Sequence, residues 1–384
     1  MSPTSSTSAA AETIRVASID PRLLLGPGPS PVSERILEAM AAPTVGHLDP
    51  QFLEIMDDVS DRLRSVFGTE NEMTFPVSGT GSAGMEASMV NVVEPGDTVV
   101  VGVNGVFGTR LAEMAHRMGA RVVAVEADWG RTVPADEVMA AVEENPEARL
   151  VALVHAETST GVHQPLEAVG RFLADRDTLF LVDAVTSIGG LPIEVDRVGI
   201  DVCYAGTQKC LGVPPGLAPI TFSPKAMDRI ENRSRPCASW YLDVSLIAGY
   251  LGEERRYHHT APINSVYGLH EGLLIIEEEG LESRFRRHRE VGERLQEELV
   301  DRGFGLFAEE GHRLPQLTSA ELPDGLEEGP LRERLLEEHG IEVGGGLGPG
   351  KGKLWRIGLM GAGATHESVD RLLGAVDDLI GRGA

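Results

Sequence analysis

From about residue 70 the chain alternates continuous apolar runs with stretches whose apolar positions recur at helical spacing. The runs are DTVVVGV (97–103), ARVVAVEA (120–127), RLVALVHAE (149–157), TLFLVDAV (178–185), DVCYAG (201–206) and LAPITFS (217–223). Most are β-branched and lack polar alternation, as strands covered on both faces must be. Between them lie amphipathic stretches such as GTRLAEMAHRMG (108–119) and PADEVMAAVEE (134–144). The second opens on Pro with early acids, the composition of a helix first turn. Alternating β and α predicts an α/β fold with a mostly parallel, doubly wound sheet. Past residue 265 the texture changes. A long charged helix is expected over roughly 266–302, then short strand-like pieces, a helix at 330–340, the run KLWRIGLMG (353–361) and a final helix. The pattern divides the chain into an N-terminal arm (1–20), a large domain (21–280) and a smaller C-terminal α+β domain (281–384), with the boundary inside the long helix.

Composition narrows the function classes. A chain of 384 residues with 42% hydrophobic residues is long enough for more than one domain. Its formal charge of -25 argues against nucleic-acid backbones and anionic membranes as partners. No apolar run reaches membrane-spanning length. The start MSPTSSTSAAAETIR has neither a basic n-region nor an apolar core, so it reads as a mobile arm and not as a targeting sequence. The three cysteines, Cys203, Cys210 and Cys237, form no C-x-x-C and fit a reducing cytoplasm. Thirty of the 34 basic residues are arginine. That bias fits either adaptation to salt or a codon bias toward arginine, and neither bears on the chemistry.

Scarcity makes the four lysines informative. Lys209 stands in YAGTQKCLGVPPG (204–216), three residues past a strand-like run. A lysine can be deprotonated in a protein and an arginine cannot. Asp183 closes the preceding run. Ligands of open α/β sheets sit beyond the carboxyl ends of strands. An acid and a rare lysine on consecutive strand ends suit pyridoxal phosphate, which needs an amine for its aldehyde and an acid for its ring nitrogen. VSGTGSAGMEASMVNVV (77–93) supplies a phosphate cup, because Ser78, Gly79, Thr80, Gly81 and Ser82 lead straight into a helical pattern. Alone, such a turn is an ordinary N-cap. Phe107 follows another run and is placed to stack on a ring or to fill the core. Thr158, Ser159 and Thr160 lie in a polar loop. Arg356 sits inside an apolar run and needs a partner, either a substrate carboxylate or a structural acid. His258 and His259 lack the spacing of a helical metal pair, and no metal is expected. GGLGPGKG (345–352) approaches a P-loop, but Gly352 replaces the Ser or Thr and a strand-like run follows.

Taken in order, these motifs resemble the class V aminotransferases, most nearly the alanine–glyoxylate and serine–glyoxylate enzymes. The resemblance runs from LLLGPGPSPV (23–32) through SGTGSAGMEA, NGVFGTR, ETSTGV, VDAVTSIGG, GTQKCLGVPPG and YHHTAP to GGLGPGKGKLWRIGL (345–359). It implies a fold-type I homodimer with active sites shared between subunits and pyridoxal 5'-phosphate as cofactor. It also implies roles. Lys209 forms the Schiff base and Asp183 pairs with the ring nitrogen. Val185 packs under the ring and Phe107 stacks on it. Thr80, Gly81, Ser82 and Gln208 hold the phosphate, with Tyr257 and Thr260 from the other subunit. Thr158 bonds near the ring oxygen, Arg356 clamps the substrate carboxylate, and Gly26 lines a small pocket.

Three positions depart from the better-known animal enzymes: Phe107 stands for tryptophan, Ser82 for histidine and Thr158 for serine. Asn264 beside the partner loop keeps ureidoglycine–glyoxylate transamination open, as does a lyase reaction on the same cofactor. A binding protein that has lost catalysis is the reading from another class. The expected reaction moves an amino group from a small L-amino acid, alanine or serine, to glyoxylate or another small 2-oxo acid.

Overall fold

In the computed structural model, residue 16 and residues 19–381 are described. The arm expected over 1–20 lies outside them except for Val16, Ile19 and Asp20. The main sheet has seven strands: β1 (Met73–Ser78), β2 (Thr98–Val103), β3 (Arg121–Glu126), β4 (Ala148–Val154), β5 (Leu179–Asp183), β6 (Val202–Tyr204) and β7 (Leu217–Phe222). Their spatial order is β1-β7-β6-β5-β4-β2-β3. The pairs β2–β3, β2–β4, β4–β5 and β5–β6 are parallel, and β7 alone runs against its neighbours. Successive side chains of a strand serve opposite faces. Accordingly Val151, Leu153, Phe180 and Val182 join one apolar cluster, while Leu150, Ala152, Leu181 and Val99 join another. A run apolar at every position thus feeds two half-cores, one on each side of the sheet.

Two departures from the pattern have local causes. The apolar-run reading passes over β1, because Pro76 interrupts it. As an edge strand paired only with β7, β1 tolerates a residue without an N–H. The helix expected over 266–302 is two helices, α1 (Ile263–Glu279) and α2 (Leu281–Asp301), which meet at Gly280 with φ 78°. Charged periodicity continues across the glycine, but the helix axis does not.

Beyond α2 a four-stranded antiparallel sheet forms from β8 (Gly305–Leu306), β9 (Leu317–Glu321), β10 (Gly344–Gly345) and β11 (Leu354–Gly358), in the order β8-β9-β11-β10. Trp355, Leu295, Leu299 and Val376 make its core. Leu25 enters the same core, and Leu23–Leu24 pairs in parallel with Ile341–Glu342. This stretch near the chain's start brings the LGPGP turn (25–29) alongside the main sheet. Gly348–Gly350 is a single 3-10 turn leading into β11.

Candidate active site

The carboxyl ends of β1, β2, β4, β5 and β6 all face one side of the sheet. A cavity of about 200 Å³ opens there. Its walls include Thr80, Gly81 and Ser82, Phe107, Thr158, Asp183 and Val185, and Gln208 with Lys209. Nine residues separated by up to 129 positions in sequence therefore share one space, each at the end of a strand or in the segment that follows one. Thr80 is the N-cap of the helix Gly81–Val92, but its side chain makes no capping bond. The Ala83 N–H turns back to the Thr80 carbonyl (2.7 Å), which leaves the Gly81 and Ser82 N–H groups for an anion.

Asp183 is 3% exposed. The Tyr204 hydroxyl donates to its Oδ2 (2.5 Å) and the Val185 N–H to its Oδ1 (2.9 Å). Burial nevertheless pushes its carboxyl up to about 6, against the opposing pull of those bonds and of the Lys209 charge. Burial, with help from the Arg356 charge, pulls the Lys209 amine down to about 8. Lys209 Nζ donates to the Pro27 carbonyl. Gly28, the next residue, is also packed against the lysine. With φ +111°, it occupies backbone space that suits glycine, and a Cβ there would fall 2.5 Å from Lys209 Nζ. The LGPGP turn is therefore the wall against which the lysine rests.

Glu157 is one of two candidate site residues that sequence reasoning missed. It is fully buried. Its Oε2 accepts from the N–H groups of Phe107 (3.0 Å) and Gly108 (3.3 Å). Its Oε1 accepts from the Ser159 N–H (3.0 Å) and hydroxyl (2.6 Å). The carboxylate caps the helix Val106–Arg117 and so fixes the Phe107 ring. Burial raises its pKa in spite of these bonds. Arg110 was also missed. It lies one turn after Phe107, lines the cavity, and sets its guanidinium 5.0 Å from the Phe107 ring centroid. Helical i, i+3 spacing from Phe107 is the signal that would have found it.

The remaining expected residues lie elsewhere. Arg356 on β11 is not in the cavity wall. Its Nε donates to the Gly345 carbonyl (2.8 Å) and its Nη1 to the Thr158 carbonyl (3.4 Å). Among the described residues no carboxylate bonds to it, and burial lowers its pKa. Gly26 lies beside Gly344, next to Arg356 and outside the wall. Tyr257 and Thr260 are exposed, bonded hydroxyl to hydroxyl at 3.4 Å, and reach no part of this cavity. The Asn264 amide, expected to be free for a substrate, is engaged. Its Nδ2 donates to the Met40 and Ala42 carbonyls, and Thr44 donates to its Oδ1. A larger cavity of about 580 Å³, lined by His155, His163 and Arg313, holds none of the expected site residues.

Residues 27–372 match the family model for class-V aminotransferases. The chain is 41% identical to an alanine–glyoxylate aminotransferase of Callithrix jacchus over 371 residues, 96% of this chain and 89% of the relative. Among solved structures, an alanine–glyoxylate aminotransferase from Nostoc sp. superposes with a TM-score of 0.94 at 48% identity, covering 96% of this chain and 97% of the other. A ureidoglycine–glyoxylate aminotransferase from Bacillus subtilis does so with a TM-score of 0.94 at 39% identity, covering 96% and 95%.

Proposed function

The chain belongs to the class-V aminotransferase family, and from that premise we propose that it moves the amino group of a small L-amino acid, alanine or serine, to glyoxylate or another small 2-oxo acid, with pyridoxal 5'-phosphate as cofactor. The observation that carries this reading is the shared cavity of Lys209 and Asp183, an amine drawn toward its neutral form beside a buried acid.

The residues present fit the cofactor. Gln208 Oε1 is buried and has no hydrogen-bond partner among the described residues. Turned over, the same amide would present its NH2 group as a donor, in the same wall as the helix start at Thr80–Ser82, and the two together would suit a phosphate. Phe107 and Val185 offer apolar faces to a ring. When bound, pyridoxal phosphate supplies an aldehyde carbon for amines and an electron-poor ring that accepts the pair left behind by a departing α-proton.

The chain's own residues do the rest. Neutral Lys209 Nζ would be the group that holds the cofactor through its aldehyde, with loss of water. Once freed by the substrate amine, the same Nζ would serve as the base that takes the substrate α-proton and as the acid that gives it back. Asp183, oriented by Tyr204 and Val185, would keep a proton on the ring nitrogen. Arg356, with carbonyl partners only, is free to bind the substrate carboxylate in bidentate fashion. The two substrates take turns at one site, which makes the kinetics ping-pong. A homodimer with shared sites would bring Tyr257 and Thr260 to the partner's phosphate cup. Three unpaired cysteines support the cytoplasm as its compartment.

The test is the visible absorption of the holoenzyme. The cofactor band should bleach with L-alanine or L-serine and return with glyoxylate. A band indifferent to both donors and responsive to ureidoglycine would favour the second reading, which the Bacillus subtilis relative motivates. The engaged Asn264 amide supports the first.

A further inference from the structure

The catalytic lysine must detach and reattach while its main chain stays still. Three successive carbonyls on its loop are held from outside the loop. The Ser30 N–H donates to the Gln208 carbonyl (2.9 Å) and the Ser30 hydroxyl to the Lys209 carbonyl (2.7 Å). The third hold is Arg284 Nη2, which donates to the Cys210 carbonyl (2.6 Å). Arg284 Nε donates to the Gly189 carbonyl (3.0 Å), in the turn that leaves Asp183. One guanidinium therefore ties together the two loops that carry the amine and the acid.

Arg284 is 3% exposed and touches no wall of the cavity. A charge so deeply buried is costly unless paired. Its partner is Glu279, 2.6 Å from Nη1. Arg287 shares Glu279, and its Nη1 donates to the Gly361 (3.0 Å) and Ala364 (2.7 Å) carbonyls. Gly361 in turn packs on Gly212, at the end of the lysine loop. The cluster thus braces the loop from its own side and from the C-terminal sheet. Helix packing alone does not require a guanidinium at position 284, since an apolar side chain would fill the space without a buried charge.

We propose that Arg284 is a positioning residue for amino transfer: it fixes the Lys209 loop against the turn after Asp183, so that Nζ meets the reacting carbon along a set direction. The proposal rests on the aminotransferase reading. Positioning acts on the rate of the chemical step and not on substrate affinity, because Arg356 is untouched. Misplacement of a reacting group by about 1 Å costs on the order of 100-fold in rate.

In the holoenzyme, Arg284→Ala should therefore lower kcat by about 10- to 100-fold. KM for donor and acceptor should stay within about twofold, and the cofactor band should remain. Added guanidinium ion should recover a large part of kcat by occupying the vacated space. Sodium chloride at the same ionic strength should not. Unchanged kcat in Arg284→Ala overturns the proposal. So does equal recovery with sodium chloride, or a loss confined to KM. If the alanine variant does not fold, Arg284→Lys keeps the charge and loses the fork, and kcat equal to the unsubstituted enzyme's overturns the proposal. If the unsubstituted protein transfers no amine, the function reading fails. Arg284 is then judged by how fast the cofactor-free protein captures pyridoxal phosphate at Lys209: slower capture in Arg284→Ala supports positioning, and equal capture overturns it.

Discussion

Lys209 and Asp183 share a cavity, and burial drives each toward its neutral form. For the lysine that is the reactive form. With an amine near 8, capture of pyridoxal phosphate by the cofactor-free protein should quicken about tenfold per pH unit below 8 and level off above it. The Arg356 charge contributes to the lowering. Arg356→Gln should therefore raise the Lys209 pKa and move the midpoint of capture to higher pH. Capture rates across pH for both proteins check this, and an unmoved midpoint removes the electrostatic link. Lys209 and Asp183 were legible in the sequence because a rare residue type and a strand-end acid fall on consecutive apolar runs. Glu157 was not legible. An acid in HAETSTG reads as part of a polar loop, and its partners, the N–H groups of Phe107 and Gly108, lie about fifty positions away without a side-chain signature.

The helix Val106–Arg117 shows what such a hidden residue does for an element. Its N-cap, Gly105, has no side chain to offer, and Glu157 supplies the cap from another strand's loop. The carboxylate accepts four hydrogen bonds, and a glutamine offers one acceptor oxygen and one donor group in the same place. Glu157→Gln should therefore destabilise the protein by about 2–3 kcal/mol. It should also weaken cofactor affinity several-fold, because the Phe107 ring rides on this helix turn. Denaturant unfolding and a cofactor titration measure the two effects, and stability within about 0.5 kcal/mol of the unsubstituted protein would refute the capping role. The runs of the main sheet were readable because both faces are covered, so that no polar alternation blurs them. The edge strand Met73–Ser78 escaped because Pro76 speaks against a strand unless the edge position is known. The break at Gly280 escaped because i, i+4 charge periodicity resumes on its far side in register.

At the scale of the molecule, local pattern gives way to contacts between distant segments. Leu23–Leu24 pairs with Ile341–Glu342, so the LGPGP turn that backs Lys209 is anchored in the C-terminal core. No periodicity announces that pairing. The surface carries a further long-range statement. Trp240 is 62% exposed, Tyr257 56% and Tyr241 42%, and Tyr241 stacks on His259 while Trp240 and His258 lie ring to ring. Exposed aromatics clustered in this way mark a surface that another protein covers. The proposed homodimer would answer both this patch and the distance of Tyr257 and Thr260 from their own cavity. The arrangement is testable by complementation. Chains carrying Lys209→Ala and chains carrying Tyr257→Phe with Thr260→Ala should each be poorly active alone. If Tyr257 and Thr260 serve the partner's site, a mixed dimer contains one site in which every residue is native. Random mixing of equal amounts then restores about one quarter of native activity, since about half the dimers are mixed and each has one good site of two. If the two residues serve their own chain's site, every site in the mixed dimer keeps one defect. Activity then stays at the mean of the two variants, and the shared-site dimer is excluded.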